Sequence, residues 1–207
     1  MTRILICIQL ILFTSLSVFA QSTFSVELQK NSSLTINGTT NLLPFTLSHS
    51  GDKLLKRNFI VTATQNQHKI VLDQNQHSIF VKSFDSNNKM ALRDFFKLVK
   101  ADNYPSFNIQ LNYFEIQSKD INVNCAKAYA SVNITIAGKT NQYSIPIISN
   151  QSGDFYILDG TEKINIRDFG LVPPVKMLGL LRVNEWIDID FHIICKINQC
   201  DITQALK

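Results

Sequence analysis

The stretch 160–193, GTEKINIRDFGLVPPVKMLGLLRVNEWIDIDFHI, decides the fold class. Ile164, Ile166 and Asp168 alternate with Lys163, Asn165 and Arg167, the period of two that gives a strand two different faces. Gly170, Pro173, Pro174 and Gly179 then prevent a long regular element, so a crossover follows. Beyond it Ile187, Ile189, Phe191 and Ile193 form one apolar face, opposite Trp186, Asp188, Asp190 and His192. A strand with one apolar face must lie on a core, so the rest of the chain has to supply the sheet that covers it.

Working outward, the same alternation recurs. Phe24, Val26 and Leu28 alternate with polar neighbours, as do Leu34 and Ile36 before Gly38. Further strand-like runs are 44–49, 59–63, 68–72 and 78–83, with Thr64 to Gln67 reading as a hairpin connection. Phe107, Ile109, Leu111 and Tyr113 make a clear amphipathic strand, and a turn is expected over 120–123. Val132, Ile134 and Ile136 lead to a tight turn at Ala137-Gly138, after which Tyr143, Ile145 and Ile147 return. Pro146 places that returning strand at an edge or a bulge, because it has no N–H for a ladder bond. A turn at Gly153-Asp154 leads into 155–158 and back to the opening stretch.

One segment breaks the pattern. Asn87 and Asn88 are helix-capping residues, and 90–100 places Ala91, Phe95, Leu98 and Val99 on one side at helical spacing. Lys89, Arg93, Lys97 and Lys100 fall on another side, which reads as an ordinary solvated face in preference to a docking surface for anionic lipid or a phosphate, and Tyr104-Pro105 ends the element. About eight to ten short strands with one helix near residues 89–100 favour a mainly all-β antiparallel barrel; a parallel α/β design would need a helix between successive strands.

Composition agrees. The 207 residues include 14 Phe, with a net charge of only +4 and no dense basic patch, so nucleic acid is not an expected partner. Arg3, the apolar run 4–13 and the Val18-Phe19-Ala20 ending describe a signal peptide over 1–20. One barrel domain is expected over 21–195, a polar tail over 196–207, and no transmembrane segment after cleavage. Cys125, Cys195 and Cys200 then remain, and one disulfide among them is possible with its pairing open.

Catalytic and cofactor signatures are missing. No nucleotide-binding glycine loop occurs, so no cofactor is expected. No Gly-x-Ser-x-Gly elbow occurs, and Asp168-Phe169-Gly170 lacks every companion motif of a kinase, leaving Phe169 as a core plug. His68 and His77 make only a weak metal argument, and no metal is expected. Asp188 and Asp190, with His192 beside them, have the local look of a catalytic carboxylate pair, but the apolar face opposite makes them the outside of a barrel strand.

Four blocks in order resemble one family. They are Ser33–Asn41; Met90, Asp94, Lys97 and Ala101 with Tyr104-Pro105 and Phe107; 134–140 with Tyr143 and Ile145-Pro146-Ile147; and Ile164, Asp168-Phe169-Gly170, Pro173-Pro174 and Leu178-Gly179. Together they resemble the YceI-like family of exported bacterial proteins, also described as polyisoprenoid-binding and lipocalin-like. The resemblance implies an extended lipocalin-like barrel whose apolar tunnel holds a long isoprenoid or similar lipid, with no enzymatic activity. It implies a periplasmic or extracellular location.

The inward faces of the clearest strands nominate Phe107, Ile109, Leu111, Ile134, Ile136, Ile187, Ile189 and Phe191 as tunnel lining. The expected function is binding of an apolar lipid for carriage or storage in the cell envelope. The alternative is a filled-core envelope interaction or stress-response protein without a small ligand. A homodimer is possible.

Overall fold

The computed structural model describes residues 21–54, 56–66, 68–73, 75–120, 125–176 and 180–200. The predicted signal peptide, the end of the predicted tail (201–207), and Leu178-Gly179 of the family resemblance lie outside them, as does most of the turn expected over 120–123. In chain order the elements are β1 (Gln21–Leu28), β2 (Ser33–Thr39), β3 (Pro44–Ser50), β4 (Asn58–Asn66), β5 (Lys69–Asp73), β6 (Gln76–Phe80), α1 (Lys89–Leu98), β7 (Ser106–Asp120), β8 (Cys125–Ile136), β9 (Lys139–Ser152), β10 (Phe155–Asn165), β11 (Val175–Lys176), β12 (Leu181–Arg182) and β13 (Trp186–Cys200).

The order β1-β4-β5-β7-β8-β9-β10-β13 closes on itself through a β1–β13 ladder, giving an eight-stranded antiparallel barrel. Two long strands serve both ends. Cys195 to Cys200 of β13 pairs with β1, while Asp188 to His192 pairs with β2, which continues into β3. On the far side Tyr113 to Glu115 pairs with β5, and Ser106 to Gln110 with β6. One end of the wall is therefore built from β1, β4 and β5, and the other from β2, β3 and β6.

At this second end the ladder is incomplete. Among the described residues the pairing between β3 and the segment after β6 is the bridge of Ser48 with Asp85. Helix α1 turns its apolar side to the same region. Asn88 caps it, its Oδ1 accepting from the N–H of Met90 (3.1 Å) and Ala91 (3.0 Å), and Lys100 closes it in the left-handed region at φ 53°. Phe84, Phe95 and Phe107 pack edge to face beneath it, with ring centroids 5.4 to 6.0 Å apart. Such aromatic pairs each add roughly 0.5–1.5 kcal/mol beyond area burial.

Several expectations shift by a few residues. The strand expected through Asp168 stops at Asn165, because Asn165 Oδ1 accepts from the Arg167 N–H and starts a 3-10 turn over Ile166–Phe169. Strand β4 runs to Asn66, so Thr64 to Asn66 belong to the ladder and not to the hairpin connection. A bulge at Asn112 reverses the phase of β7: Tyr113 turns to the outer face, where Lys69 Nζ stands 3.5 Å from its ring centroid, and Phe114 turns inward opposite Ala130. Lys196 to Cys200 is the end of β13 and not a tail. Pro146 lies one residue past the end of the β9–β10 ladder, where no partner awaits its nitrogen. Ala137 and Gly138, both at positive φ, make the tight β8–β9 turn.

In this structure Cys125, Cys195 and Cys200 are unpaired. Cys195 is buried on the inner face of β13, whereas Cys200, five residues on, falls on the outer face. Asp188, Asp190 and His192 are on the outer face and engaged there. Asp190 accepts from Asn37 Nδ2 and Thr161 Oγ1, both at 2.6 Å, and His192 Nδ1 stands 2.6 Å from Asp159 Oδ1.

Candidate functional site

A cavity of about 430 Å³ opens at the α1 end of the barrel. Phe107 and Ile109 on β7, Ile134 and Ile136 on β8, and Ile187 and Ile189 on β13 line it, six of the eight residues nominated from strand faces. Leu111 and Phe191 do not; each is the next inward residue along its strand, beyond the cavity. Phe191 pairs with Leu34 on one side and Gly160 on the other, and a Cβ on Gly160 would stand 2.3 Å from Phe191 Cζ. The ring thus lies across Gly160, directly beyond the lining residues Ile189 and Leu34. The barrel interior is open at one end and packed at the other, with Val61, Ala128, Ala130 and Ile147 buried in the packed part.

Sequence reasoning missed the remaining lining. Leu34, Ile36, Phe45 and Leu47 come from the β2–β3 hairpin, Phe95, Leu98 and Val99 from α1, and Ile164, Ile166, Phe169 and Leu171 from the end of β10 and the turn after it. Their apolar alternation and helical spacing were readable. That β2 and β3 replace β1 and β4 at this end was not.

Polar side chains at the cavity are few. Thr40 Oγ1 donates to the Leu43 carbonyl (2.8 Å) and accepts from the N–H of Leu42 and Leu43 (3.2 and 2.9 Å). Asn88 Oδ1 is occupied by the helix cap. Asp94 is the one ionisable residue among the described lining residues. Such a surface rewards apolar contact and offers little to a polar substrate.

Other titratable groups sit deeper or elsewhere. Glu162 occupies the inner face of β10, two residues before Ile164, and burial raises its pKa. Tyr143 is pushed up to about 12 by burial, then by the charges of Asp168 and Glu162, and its buried hydroxyl has no hydrogen-bond partner among the described residues. His77 is lowered by burial and then by Lys56, and its ring packs on Phe59 at 4.3 Å. Burial and then Lys53 lower His49. Burial raises the Cys195 thiol to about 11, the environment of an unreactive cysteine. Among the described residues no cluster of three His, Cys, Asp or Glu side chains could hold a metal ion.

This geometry can be set beside known proteins. The YceI-like domain model matches residues 57–195, more than half of the chain. The chain belongs to the YceI-like family. The match begins after β3, so the β2–β3 hairpin that supplies part of the YceI-like cavity lies outside the matched stretch.

Among solved structures, the polyisoprenoid-binding domain from Saccharophagus degradans implicated in plant cell wall breakdown aligns with a TM-score of 0.57 at 10% identity, covering 84% of this chain and 98% of that one. BcnA of Burkholderia cenocepacia aligns with a TM-score of 0.54 at 19% identity, covering 79% of this chain and 95% of that one. At these identities the likeness is one of fold. No curated protein matches the sequence.

Proposed function

We propose that this YceI-like chain binds the apolar part of a polyisoprenoid or similar lipid in the cavity, without catalysis, for carriage or storage in the cell envelope. The observation that carries this reading is the cavity itself. Its wall is mostly Ile, Leu, Val and Phe, Asp94 is its one ionisable side chain among the described lining residues, and its Thr40 and Asn88 acceptors are already held by backbone N–H groups. Each methylene moved from water into such a wall contributes about 0.8 kcal/mol, so affinity accrues with chain length and needs no catalytic group. Its volume lies low in the roughly 300–1,000 Å³ range of small-molecule sites, so a long lipid would be held by one end with the rest leaving through the mouth. The polyisoprenoid-binding domain of S. degradans shares the fold and supports the same ligand class.

An exported location accords with the N-terminal sequence 1–20. Among the described residues no helix is long and apolar enough to cross a membrane.

The test is mass spectrometry of an organic-solvent extract of protein purified without detergent, for the parent and for Ile136→Asp or Ile189→Asp. A stoichiometric prenyl or fatty-acyl species in the parent, lost from a folded variant, is the expected result. A blank from well-folded parent, together with no binding of added prenyl alcohols, overturns the reading in favour of an interaction protein without a small ligand.

A further inference from the structure

The rim of the cavity is itself apolar, and exposed. Leu42 and Leu43, at the tip of the β2–β3 turn, are 67% and 71% exposed, and Leu180 and Val175, on the β11–β12 hairpin, 70% and 60%. Turn tips usually carry Gly, Asn, Asp or Ser, which serve the backbone; two consecutive leucines serve neither the turn nor the core. Nor are they loosely held. The Thr40 hydroxyl fixes both their N–H groups, Asn41 Nδ2 donates to the Leu180 carbonyl (2.8 Å), and Arg182 N–H donates to Asn41 Oδ1 (2.9 Å). Asn41 therefore ties the β2–β3 turn to Leu180 and Arg182, and Leu42, Leu43 and Met90 continue from this apolar edge into the cavity wall.

Next to Met90 cations outnumber acids, Asp94 of the cavity lining and Asp102 of the neighbouring depression included. A shallow depression along the outer side of α1 is lined by Lys82, Lys89, Arg93, Lys97 and Lys100 around Leu92 and Phe96. Asp85 and Asp102 each answer one of these cations, Lys89 and Lys82 respectively. An apolar edge flanked by cations is the composition that lies in the headgroup zone of an anionic bilayer, with the leucines below the phosphates and the lysines among them.

The geometry points to this mouth as a docking surface for an anionic lipid bilayer, seated so that the cavity opens onto the membrane. The inference rests on the lipid-binding reading, and it says how an apolar chain enters without crossing water. A second copy placed on the same rim would close the mouth that the rim surrounds; a bilayer supplies the ligand through it.

The test is flotation of the purified protein with vesicles of phosphatidylethanolamine and phosphatidylglycerol, and with vesicles of phosphatidylcholine alone. Two variants accompany the parent: Val175→Ser with Leu180→Ser, which leaves the cavity wall untouched, and Arg93→Glu with Lys97→Glu. The parent should float with the anionic vesicles and less with the neutral ones. The Val175 and Leu180 variant should bind about tenfold more weakly or worse, from the apolar area it no longer buries. Charge reversal should abolish the preference for anionic vesicles. Because every variant keeps the same N-terminus, a loss belongs to the rim.

Equal flotation of parent and variants overturns the inference. So does an absence of parent flotation, and copurified lipid in that case leaves the cavity reading standing. A dimer in size-exclusion chromatography that Val175→Ser with Leu180→Ser dissolves, with no flotation of the parent, would overturn it in favour of a second copy as the occupant.

Discussion

Replacing Phe191 with Ala should lengthen the chain that the cavity accepts. Phe191 lies one inward step beyond Ile189, its ring spread over Gly160 and its neighbour Leu34 already on the cavity wall. Truncation removes on the order of 100 Å³ of side chain from this point, and at about 24 cal/mol per Å³ of residual void the empty protein should lose about 2.4 kcal/mol in addition to the lost transfer energy. Because Phe191 is only partly buried, the total should fall near the lower end of the roughly 3–5 kcal/mol span of Phe→Ala changes. The same space joined to the cavity admits roughly three methylenes, if each takes about the 30 Å³ share of a liquid water. At about 0.8 kcal/mol each they contribute about 2.4 kcal/mol, roughly fiftyfold in Kd. Isothermal titration with a series of straight-chain alcohols reads this directly. Parent affinity should stop rising at one chain length, and the variant should go on rising for about three more carbons. A cooperatively folded variant whose affinity levels off at the parent's chain length would refute the placement of Phe191 as the cavity floor.

Gly160→Ala should destabilise through the same contact. Besides Phe191, the new Cβ would stand 2.8 Å from the Pro146 carbonyl oxygen, a backbone atom that cannot rotate away. An overpacking cost of about 1–3 kcal/mol should outweigh the roughly 0.4–1 kcal/mol gained from a less flexible unfolded chain, and a guanidinium midpoint at or above the parent's would contradict this. Glu162→Gln should stabilise the protein at neutral pH and leave it nearly unchanged at low pH. Burial raises the folded pKa of Glu162 above 4.5, so the parent loses stability as pH rises from about 4.5 through that higher value; parallel stability curves for both proteins would dispose of the idea. His77 runs the other way. Its folded pKa lies below 6.5, so its contribution is complete above that pH and declines as pH falls toward the folded value. His77→Phe should flatten the acid side of the stability curve, and an unaltered slope would show that His77 is not the group responsible.

Much of the barrel was legible because its strands face two different media. Ile187, Ile189 and Phe191 opposite Asp188, Asp190 and His192 leave one orientation for β13, and the structure adopts it. The helix was legible for a similar reason, from Ala91, Phe95, Leu98 and Val99 at helical spacing and from Asn88 as its cap. Phase errors arose where one residue enters a strand without a partner. Nothing in Leu111-Asn112-Tyr113 announces the bulge that turns Tyr113 outward and Phe114 inward, because either of two aromatic residues could occupy the inner face. The early stop of β10 was equally hidden: Ile164 and Ile166 keep the strand period while Asn165 withdraws its side chain to hold Arg167. As for the site, strand faces located residues on the barrel interior, but could not separate those on the open part from Leu111 and Phe191 beyond it. That division depends on which strands stand opposite, a long-range fact that alternation does not encode.

The division has a simple physical source. Where β1, β4 and β5 complete the wall, every neighbour is a strand about 4.8 Å away, and Val61, Ala128 and Ala130 are buried there. At the other end the ladder between β3 and β6 is interrupted, and α1 serves as wall instead. A helix with its side chains is about 10–12 Å across, so its axis stands farther from the barrel centre than a strand would, and the perimeter widens locally. Ile134 and Ile136 on β8 are larger than the alanines before them, yet they do not close the extra space, and the cavity is what remains. The same substitution of helix for strand places a basic surface and Met90 beside the mouth. Cavity and mouth are thus consequences of one topological choice, and a change that displaces α1 should alter cavity volume and the proposed flotation with anionic vesicles together.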